Sequence, residues 1–282
     1  MSRGVKPAMK SAAPIAPARD LSRGRGEGTP SREFVQSLAR GFDVIKAFSS
    51  GRRPLTISEV AVKTGLTRAA ARRYLLTLEM LGCVRQNGAG FSLTPRILDL
   101  GFSYLSTVDV VDLALKQMEE VAKSLHETCS LAVLDGTEIV YIGRVPANRI
   151  MTINLVVGSR LPAHATSMGK VLLAYLSDEA LATYFATATL QRCTDRTLCS
   201  EPALRAALKE VRARGWALSD QETELGVRTI AVPVFDRSMK VAAAMNVSGH
   251  TSRVSTAELK KRYLPELAEA ARETSRALGA NL

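Results

Sequence analysis

The sequence has few cysteines and histidines, and neither residue type is arranged as a metal, disulfide or catalytic site. Its cysteines are scattered and form no CxxC pair, the spacing that a zinc site or a redox motif would need. His164 stands in a distinctive loop, but no serine, cysteine or acidic residue lies at a spacing that indicates a catalytic triad with it. We therefore predict that the protein is not an enzyme and holds neither a metal nor a cofactor. The four cysteines are Cys83, Cys129, Cys193 and Cys199.

Long apolar runs are also absent from the sequence. No stretch approaches the roughly 18 consecutive apolar residues that a membrane-spanning helix needs, and the N-terminus lacks the continuous apolar core of a secretory signal. These two absences predict a cytoplasmic protein with no membrane partner.

Negative charge is scarce in the first third of the chain. The net charge of +11 divides into +5 for residues 1–32, +5 for residues 33–93 and +1 for residues 94–282. A positive field concentrated in this way is typical of a segment that binds phosphates. Residues 1–32 lack apolar periodicity, so we predict a flexible basic tail that either adds phosphate contacts or serves only as a start-site or solubility tail.

Residues 55–82 have the pattern of two helices joined by a tight turn. Thr56 and Glu59 form a capping box at the start of the first helix, and Gly65 stands where the chain must turn. Thr67 can cap the second helix, whose apolar positions recur at spacings of four and three before Gly82 ends it. This pattern predicts a DNA-reading helix-turn-helix, although the outward arginines could instead form an ordinary solvated face. The predicted buried stripe is Ala71, Leu75 and Leu78, and the outward arginines are Arg68, Arg72 and Arg73.

A hairpin and an upstream helix complete the predicted DNA-binding domain, residues 33–93. Two short strands around the glycine-rich residues 87–90 indicate the wing of a winged helix. Upstream, the spacing of Leu38, Phe42, Ile45 and Phe48 predicts a helix that covers the other two. The residues predicted to contact DNA are Thr56, Ser58, Thr67, Arg68, Arg72, Arg73 and Arg85.

The rest of the sequence predicts a linker helix, residues 94–107, followed by a mixed α/β domain, residues 108–282. Thr94 and Pro95 resemble an N-cap with proline at the first helical position. A second helix is predicted from Val110 to Leu125, with Leu113 among its inward residues. Beyond it, one sheet covered by helices is the simplest architecture. The predicted strands are 130–134, 139–145, 151–156, 229–234 and 241–247, and the predicted helices are 168–176, 178–185, 202–214 and 255–278.

Several runs of sequence resemble the isocitrate lyase regulator (IclR) family of bacterial transcription factors. The winged helix, the linker helix, the stretch Arg160 to Lys170 and the segment Gln221 to Arg228 carry the resemblance, which covers about residues 33–280. Within the family, three runs resemble the branch that controls aromatic-acid breakdown through the β-ketoadipate pathway. Those runs are residues 31–38, 66–73 and 149–153.

The resemblance implies a two-domain α+β protein with a GAF-like effector-binding domain at its C-terminus. It also implies dimers formed largely through the DNA-binding domains, and often dimers of dimers on the promoter. Paired recognition helices would then reach two half-sites of double-stranded DNA, so we expect a palindromic operator. A homodimer and a tetramer are both compatible with this expectation.

The residues around Ala165 to Lys170 form a loop of small side chains that enters a helix. The backbone N–H groups near Ser167 and Met168 could receive the carboxylate of a small acid, although a plain helix start explains the same sequence. Asp220, Glu222 and Glu224 could bind a metal or act in acid–base chemistry, but are more typical of a solvated edge. By resemblance, an aromatic or keto acid would lie against the loop, the segment 220–229 and one strand end, with apolar walls. The implied contacts are Ile150, Ile153, Leu161, Ser167, Met168, Asp220, Glu222, Arg228, Thr229, Asn246 and Ser248.

Among these residues, Arg228 carries the positive charge that could meet an acidic ligand, although it could equally pair with Glu222 or Glu224 in a structural contact. One alternative function is a repressor of the wider family that answers a non-aromatic small organic acid. Another is an architectural DNA binder, or an enzyme, whose C-terminal domain senses nothing. The sequence does not decide between activation and repression.

Overall fold

The computed structural model describes residues 34–50, 53–100, 110–147 and 155–282. The predicted basic tail, the second half of the predicted linker helix and two implied effector contacts, Ile150 and Ile153, lie outside these ranges. The chain divides into two compact units between residues 103 and 104. Within the described ranges, no helix is long and apolar enough to cross a membrane.

The N-terminal unit has three helices followed by a two-stranded antiparallel hairpin. The hairpin strands pair from Val84 with Leu93 to Asn87 with Gly90, and Leu55 forms a further antiparallel bridge to Phe91. The wing therefore has the backbone hydrogen bonds of a short three-stranded sheet. Its elements are α1 (Gln36–Lys46), a 3-10 turn (Ala47–Ser50), α2 (Ile57–Thr64), α3 (Arg68–Met80), β1 (Val84–Asn87), β2 (Gly90–Leu93) and a 3-10 turn (Pro95–Ile97).

The helix boundaries in this unit follow the predicted caps. Thr56 and Glu59 form both hydrogen bonds of the capping box at the start of α2. Gly65 ends α2 with φ of 66°, a left-handed conformation that favours glycine. The hydroxyl of Thr67 accepts the N–H of Ala70 and caps α3. The predicted buried stripe of α3 is confirmed, since all three of its residues lie in the core of the unit.

One prediction for this unit is wrong and another holds only in part. Leu38 and Phe42 were expected to cover the other helices, but they are 61% and 47% exposed, and Val44 is the buried residue of α1. Thr94 stands at the predicted N-cap position with Pro95 after it, but it precedes a 3-10 turn and its hydroxyl donates to the carbonyl of Gly82 rather than capping the turn. Thr94 thus joins the end of the wing to the end of α3.

The C-terminal unit is a six-stranded antiparallel sheet, ordered β5-β4-β3-β8-β7-β6, with helices on both faces. Its final helical segment contains a π-helical stretch, Leu259–Tyr263, between Thr256–Glu258 and the last helix. The elements are α4 (Val110–Leu125), β3 (Thr128–Asp135), β4 (Glu138–Val145), β5 (Arg160–Pro162), α5 (Ser167–Ala174), α6 (Asp178–Thr187), α7 (Glu201–Arg214), β6 (Ala217–Asp220), β7 (Val227–Phe235), β8 (Val241–His250) and α8 (Leu264–Ala277).

The two faces of the sheet have separate cores. One face packs against α4 and α8, with Met118, Met245 and Leu267 fully buried among apolar neighbours. The other face packs against α5, α6 and α7, with Ala132, Ala231 and Ala244 in contact with their apolar side chains. We call this second side the α5 face. The small alanines allow α5 to approach the strands closely.

The prediction placed most elements of this unit correctly and missed two short strands. β5 and β6 were not predicted, and the predicted strand at 151–156 lies largely outside the described residues. Leu113 was predicted to point inward on α4, but it is exposed, and Ala114 occupies the buried position. The inward stripe of α4 is therefore Val110, Ala114, Met118, Val121 and Leu125.

Candidate DNA-binding and effector sites

The solvent-facing side of α3 has the arrangement of a recognition helix. Arg68, Arg72 and Arg73 are all exposed in the first two turns of the helix. Arg68 and Arg72 are four residues apart and so lie one above the other on the same side. Ala69 between them is also exposed and adds little bulk. Such a surface can approach the edges of bases or the phosphates in a major groove.

The threonines predicted to contact DNA have local structural roles. The hydroxyl of Thr56 accepts the Glu59 N–H at 3.3 Å and donates to the Glu59 carboxylate at 2.9 Å. Thr67 caps α3, and Ser58 is partly buried in the first turn of α2. The two threonines therefore set the positions of the helix starts, where backbone N–H groups can meet phosphates.

Two further basic residues lie near the wing. Arg85 is exposed on β1, as a wing contact requires. Arg53, which was not predicted, is 70% exposed and donates to the Glu59 carboxylate at 2.5 Å. Hydrogen bonds from Arg53 and then from Thr56 hold the pKa of Glu59 down to about 2. Arg53 thus extends the basic surface and fixes the capping box.

In the C-terminal unit, strand register brings six polar side chains together at one end of the α5 face. Residues opposite each other in an antiparallel pair point to the same face. One row runs Thr229, Ser248, Thr128 across β7, β8 and β3, and the next runs Asn246, Ser130, Arg144 across β8, β3 and β4. We call these six residues the polar sheet face.

The start of α5 lies over this part of the sheet. Ser167 and Met168 are fully buried, and the Ser167 and Thr229 hydroxyls are 2.7 Å apart. Thr166 caps the helix by accepting the Gly169 N–H at 2.9 Å. The N–H groups of the first helical residues precede the first intrahelical bond, and they are the groups that the sequence suggested as an anion site.

Arg228 and Asp220 point to the other side of the sheet. They are cross-strand partners, and each is adjacent in sequence to a residue of the α5 face, Thr229 and Ser219. The Arg228 guanidinium donates to Asp220 at 2.8 Å and to the Val254 carbonyl at 2.7 Å. The structure therefore separates these two residues from Ser167, Thr229 and Asn246. It also corrects the expected ion pair of Arg228, whose carboxylate partner is Asp220 rather than Glu222 or Glu224.

Glu222 forms a buried ion pair with Lys170 of α5. Burial lowers the pKa of Lys170 and raises the pKa of Glu222, because removal from water disfavours the charged form of each group. The second carboxylate oxygen of Glu222 has no hydrogen-bond partner in the described part of the chain. Glu222 thus anchors the loop after β6 to α5. Leu161, the remaining predicted wall, packs partly buried in the same core.

His164 has a structural role, as a lone histidine in a turn usually does. It is buried, and its Nε2 atom lies 3.0 Å from the Gln191 carbonyl. Burial is the main cause that lowers its pKa. The contact ties the turn before α5 to the loop before α7. Among the described residues, no group of acidic, histidine or cysteine side chains is placed to hold a metal ion.

The sequence did not indicate Ser130 as a candidate site residue. Ser130 and Asn246 are buried neighbours, and the Ser130 Oγ and Asn246 Oδ1 atoms find no hydrogen-bond partner among the described residues. A buried polar group without a hydrogen-bond partner lowers the stability of the fold. The alternation of Ser130 between apolar neighbours in β3 was the only available signal, and it is weak without the strand register.

Comparison with known families covers both units of the chain. The IclR helix-turn-helix domain model matches residues 37–88, and the model for the C-terminal domain of the bacterial transcriptional regulator IclR matches residues 102–276. The chain is 41% identical over 273 residues to the Pca regulon regulatory protein of Pseudomonas putida, and the alignment covers 95% of this chain and 92% of that protein.

Solved structures support the same comparison. A transcriptional regulator from Rhodococcus sp. RHA1 matches with a TM-score of 0.80 and 44% identity, over 87% of this chain and 98% of that one. The inducer-binding domain of PobR from Acinetobacter, a double mutant in complex with 3-hydroxybenzoic acid, matches with a TM-score of 0.55 and 36% identity. That match covers 58% of this chain and 97% of the other.

Proposed function

The chain belongs to the IclR family of bacterial transcriptional regulators, and we propose that it controls genes for aromatic-acid breakdown in response to a small aromatic acid. The observation that carries the proposal is the near full-length similarity to the Pca regulon regulatory protein of Pseudomonas putida. The exposed arginines of α3 supply the DNA-reading surface. As a regulator of chromosomal promoters, the protein acts in the cytoplasm and leaves its ligand chemically unchanged.

The working unit on DNA is proposed to be a homo-oligomer built from dimers. Phe34, just before α1, and Leu38 and Phe42, within it, are 48%, 61% and 47% exposed. An apolar stripe of this kind is costly in water, and a second copy of the chain can cover it. A symmetric pair of recognition helices would read a palindromic operator.

The DNA proposal is tested by mobility shift with the operator upstream of the regulated genes. Halving the palindrome should weaken binding strongly, because only one recognition helix then finds its site. Arg72→Ala should weaken operator binding by roughly 1–3 kcal/mol if Arg72 reads a guanine. The matched control is Arg205→Ala, which removes an arginine of α7 paired with Glu201. Full affinity of Arg72→Ala would contradict the assigned surface.

The effector is proposed to bind between the start of α5 and the polar sheet face. Ser167, Thr229, Asn246 and Ser248 supply polar side chains there, Met168 supplies a backbone N–H, and the surrounding alanines and Leu161 supply apolar surface. A few polar groups in an apolar setting suit a small aromatic acid. The 3-hydroxybenzoic acid complex of the related PobR domain supports this ligand class.

Thermal-shift measurements on the full-length protein test the effector class. The panel contains 3-hydroxybenzoate, 4-hydroxybenzoate, protocatechuate, β-ketoadipate, muconate and aliphatic keto acids. A saturable rise of the melting temperature with one aromatic acid is expected, because a ligand that binds only the folded state stabilises it. Stabilisation by aliphatic acids alone would contradict the aromatic proposal, and conversion of the bound acid would contradict the non-enzymatic role.

Ligand control requires that the effector have different affinities for the free and the operator-bound protein. The same coupling free energy then changes the affinity for DNA, because linkage is reciprocal. Titration of the effector with and without operator DNA measures it directly. Equal ligand affinities in the two titrations would contradict a ligand-responsive regulator.

A further inference from the structure

Two buried polar atoms stand side by side on the α5 face without hydrogen-bond partners. Ser130 of β3 and Asn246 of β8 lie directly opposite each other in the antiparallel register. They are 1% and 2% exposed, and neither the Ser130 Oγ atom nor the Asn246 Oδ1 atom has a partner within the described part of the chain. Opposite side chains of such a pair have Cβ atoms about 4.5–5.5 Å apart. One small polar group placed between the two side chains therefore reaches both atoms.

Three alanines adjoin this pair on the α5 face. Ala231 lies opposite Asn246 on β7, and Ala244 precedes Asn246 by two positions on β8. Ala132 follows Ser130 by two positions on β3. An alanine side chain has no polar atom, so these neighbours offer no hydrogen bond to either oxygen. Their small size also suits a flat aromatic ring that lies against the strands.

The amide of Asn246 has its nitrogen turned towards Ser248. Its Nδ2 atom donates to the Ser248 hydroxyl at 3.5 Å, so Oδ1 is the end without a partner. An amide oxygen only accepts hydrogen bonds, whereas the Ser130 hydroxyl both donates and accepts. The group that completes Asn246 must therefore carry a hydrogen-bond donor. Carboxylates and keto groups carry none, but a phenolic hydroxyl carries one and also accepts.

The start of α5 lies one ring length from this pair. Thr229 is opposite Ser248, two positions from Asn246 along β8, so Thr229 and Asn246 are diagonal neighbours about 7–8 Å apart. The hydroxyl of Ser167, the first residue of α5, lies 2.7 Å from the Thr229 hydroxyl. A benzene ring with an acid group at one end and a hydroxyl at the other can bridge this separation.

We infer that Ser130 and Asn246 bind a ring hydroxyl of the effector and make the site selective for hydroxylated aromatic acids. This inference rests on the proposed function and narrows its ligand class. The ligand hydroxyl donates to Asn246 Oδ1 and accepts from the Ser130 hydroxyl, while the carboxylate lies at the start of α5. Open-chain acids without a hydroxyl, such as muconate and β-ketoadipate, leave Asn246 Oδ1 without a donor and should bind more weakly.

Calorimetric titration of the full-length protein with matched benzoates tests this inference. The probes are 3- and 4-hydroxybenzoate, the corresponding aminobenzoates and fluorobenzoates, muconate and β-ketoadipate. The hydroxyl donates and accepts, the amino group donates, and fluorine has no donor. Wild type should bind one hydroxybenzoate at least about tenfold more tightly than the matching fluorobenzoate, because fluorine leaves the buried Asn246 oxygen unpaired. The affinity of the matching aminobenzoate should lie between the two.

Variants of the two residues separate recognition from folding. Asn246→Leu removes the acceptor and should reduce the preference for hydroxyl over fluorine to about threefold or less. Ser130→Ala should weaken the hydroxybenzoate by about fivefold and leave the fluorobenzoate nearly unchanged. The melting temperature of ligand-free Ser130→Ala should stay unchanged or rise, because the substitution removes a buried hydroxyl that has no partner.

Ser275→Ala is the matched control for the loss of a buried hydroxyl. Ser275 is fully buried on α8, which packs against the opposite face of the sheet. Its hydroxyl donates to the Ala271 carbonyl at 2.6 Å and accepts the Phe235 N–H at 2.9 Å. This variant should therefore have a lower melting temperature than wild type but the same ligand preference, the reverse of the result expected for Ser130→Ala.

The possible results distinguish the inference from the function on which it rests. If wild type binds a fluorobenzoate as tightly as the matching hydroxybenzoate, the inference is overturned and the proposed function stands. The same holds if Asn246→Leu and Ser130→Ala both keep the wild-type preference. If wild type binds only the open-chain acids, or none of the probes, the aromatic effector class fails, and the inference fails with it.

Discussion

Removal of one partner from the Lys170–Glu222 pair should destabilise the C-terminal unit severely. The Lys170 and Glu222 side chains are only 4% and 10% exposed, so Lys170→Met leaves a buried carboxylate without its cation. Loss of one partner of a buried ion pair typically costs about 3–5 kcal/mol. For a unit of this size that corresponds to a fall in melting temperature of roughly 6–20 °C.

Urea unfolding of the full-length chain, followed by the fluorescence of Trp216, would measure this cost. Trp216 lies in the C-terminal unit beside α7, so its signal reports the unfolding of that unit. Lys209→Met is the matched control, because Lys209 is an exposed lysine of α7. It should change the free energy of unfolding by no more than about 0.5 kcal/mol.

The double variant Lys170→Met with Glu222→Met decides whether the unpaired charge causes the loss. Replacing both partners removes the buried charge and should recover most of the stability, because apolar replacements of buried pairs are often neutral. A loss below about 1 kcal/mol for Lys170→Met would refute the reasoning. A double variant whose loss equals the sum of the two single losses would refute it as well.

Two further predictions concern backbone packing and acid stability. Gly169→Ala should destabilise the protein by about 3 kcal/mol or more, because the added carbon would overlap Ala163, and Gly41→Ala, with open space around it, is the control in thermal unfolding. The pKa of Glu59 is lowered to about 2 from its ordinary value of 4.5, so its ionised form stabilises the fold above about pH 4.5, and this contribution is lost as the pH falls towards 2. In unfolding measurements across pH, the stability difference between wild type and Glu59→Gln should shrink over that range, and a constant difference would contradict the assignment.

The features of the N-terminal unit that could be predicted from sequence are those set by neighbours along the chain. Thr56, Glu59 and Gly65 act within a few residues of their own positions, so the helix starts and the turn followed directly from the residue types. The stripe of α1 shows the limit. Its periodicity correctly indicates an apolar side, but periodicity does not specify whether this chain or another covers it. That is why Leu38 and Phe42 are exposed despite the expectation.

The candidate effector site depends on contacts between distant residues, so only part of it was predictable. Ser167 and Met168 could be expected, because a capped helix start is a local signal. Ser130 could not, since its proximity to Asn246 requires that β3 and β8 be neighbours in the sheet. Arg228 is the converse case. It lies one residue from Thr229, and the alternation of a strand sends it to the other face.

The distribution of polar groups between the two faces of the sheet supports the assignment of the ligand side. The face against α4 and α8 has an almost continuous apolar core. On the α5 face, Ser130 and Asn246 each have a buried polar atom that finds no hydrogen-bond partner in the described part of the chain. Each of these two groups costs stability, and neither is needed to hold α5 on the sheet, because the alanines already allow close packing. Buried polar groups that destabilise the fold and lie together on one face are typical of a binding site. There the ligand supplies the hydrogen bonds that the protein does not make. The same argument predicts that replacing Ser130 or Asn246 with an apolar residue stabilises the free protein while it weakens the response to the acid.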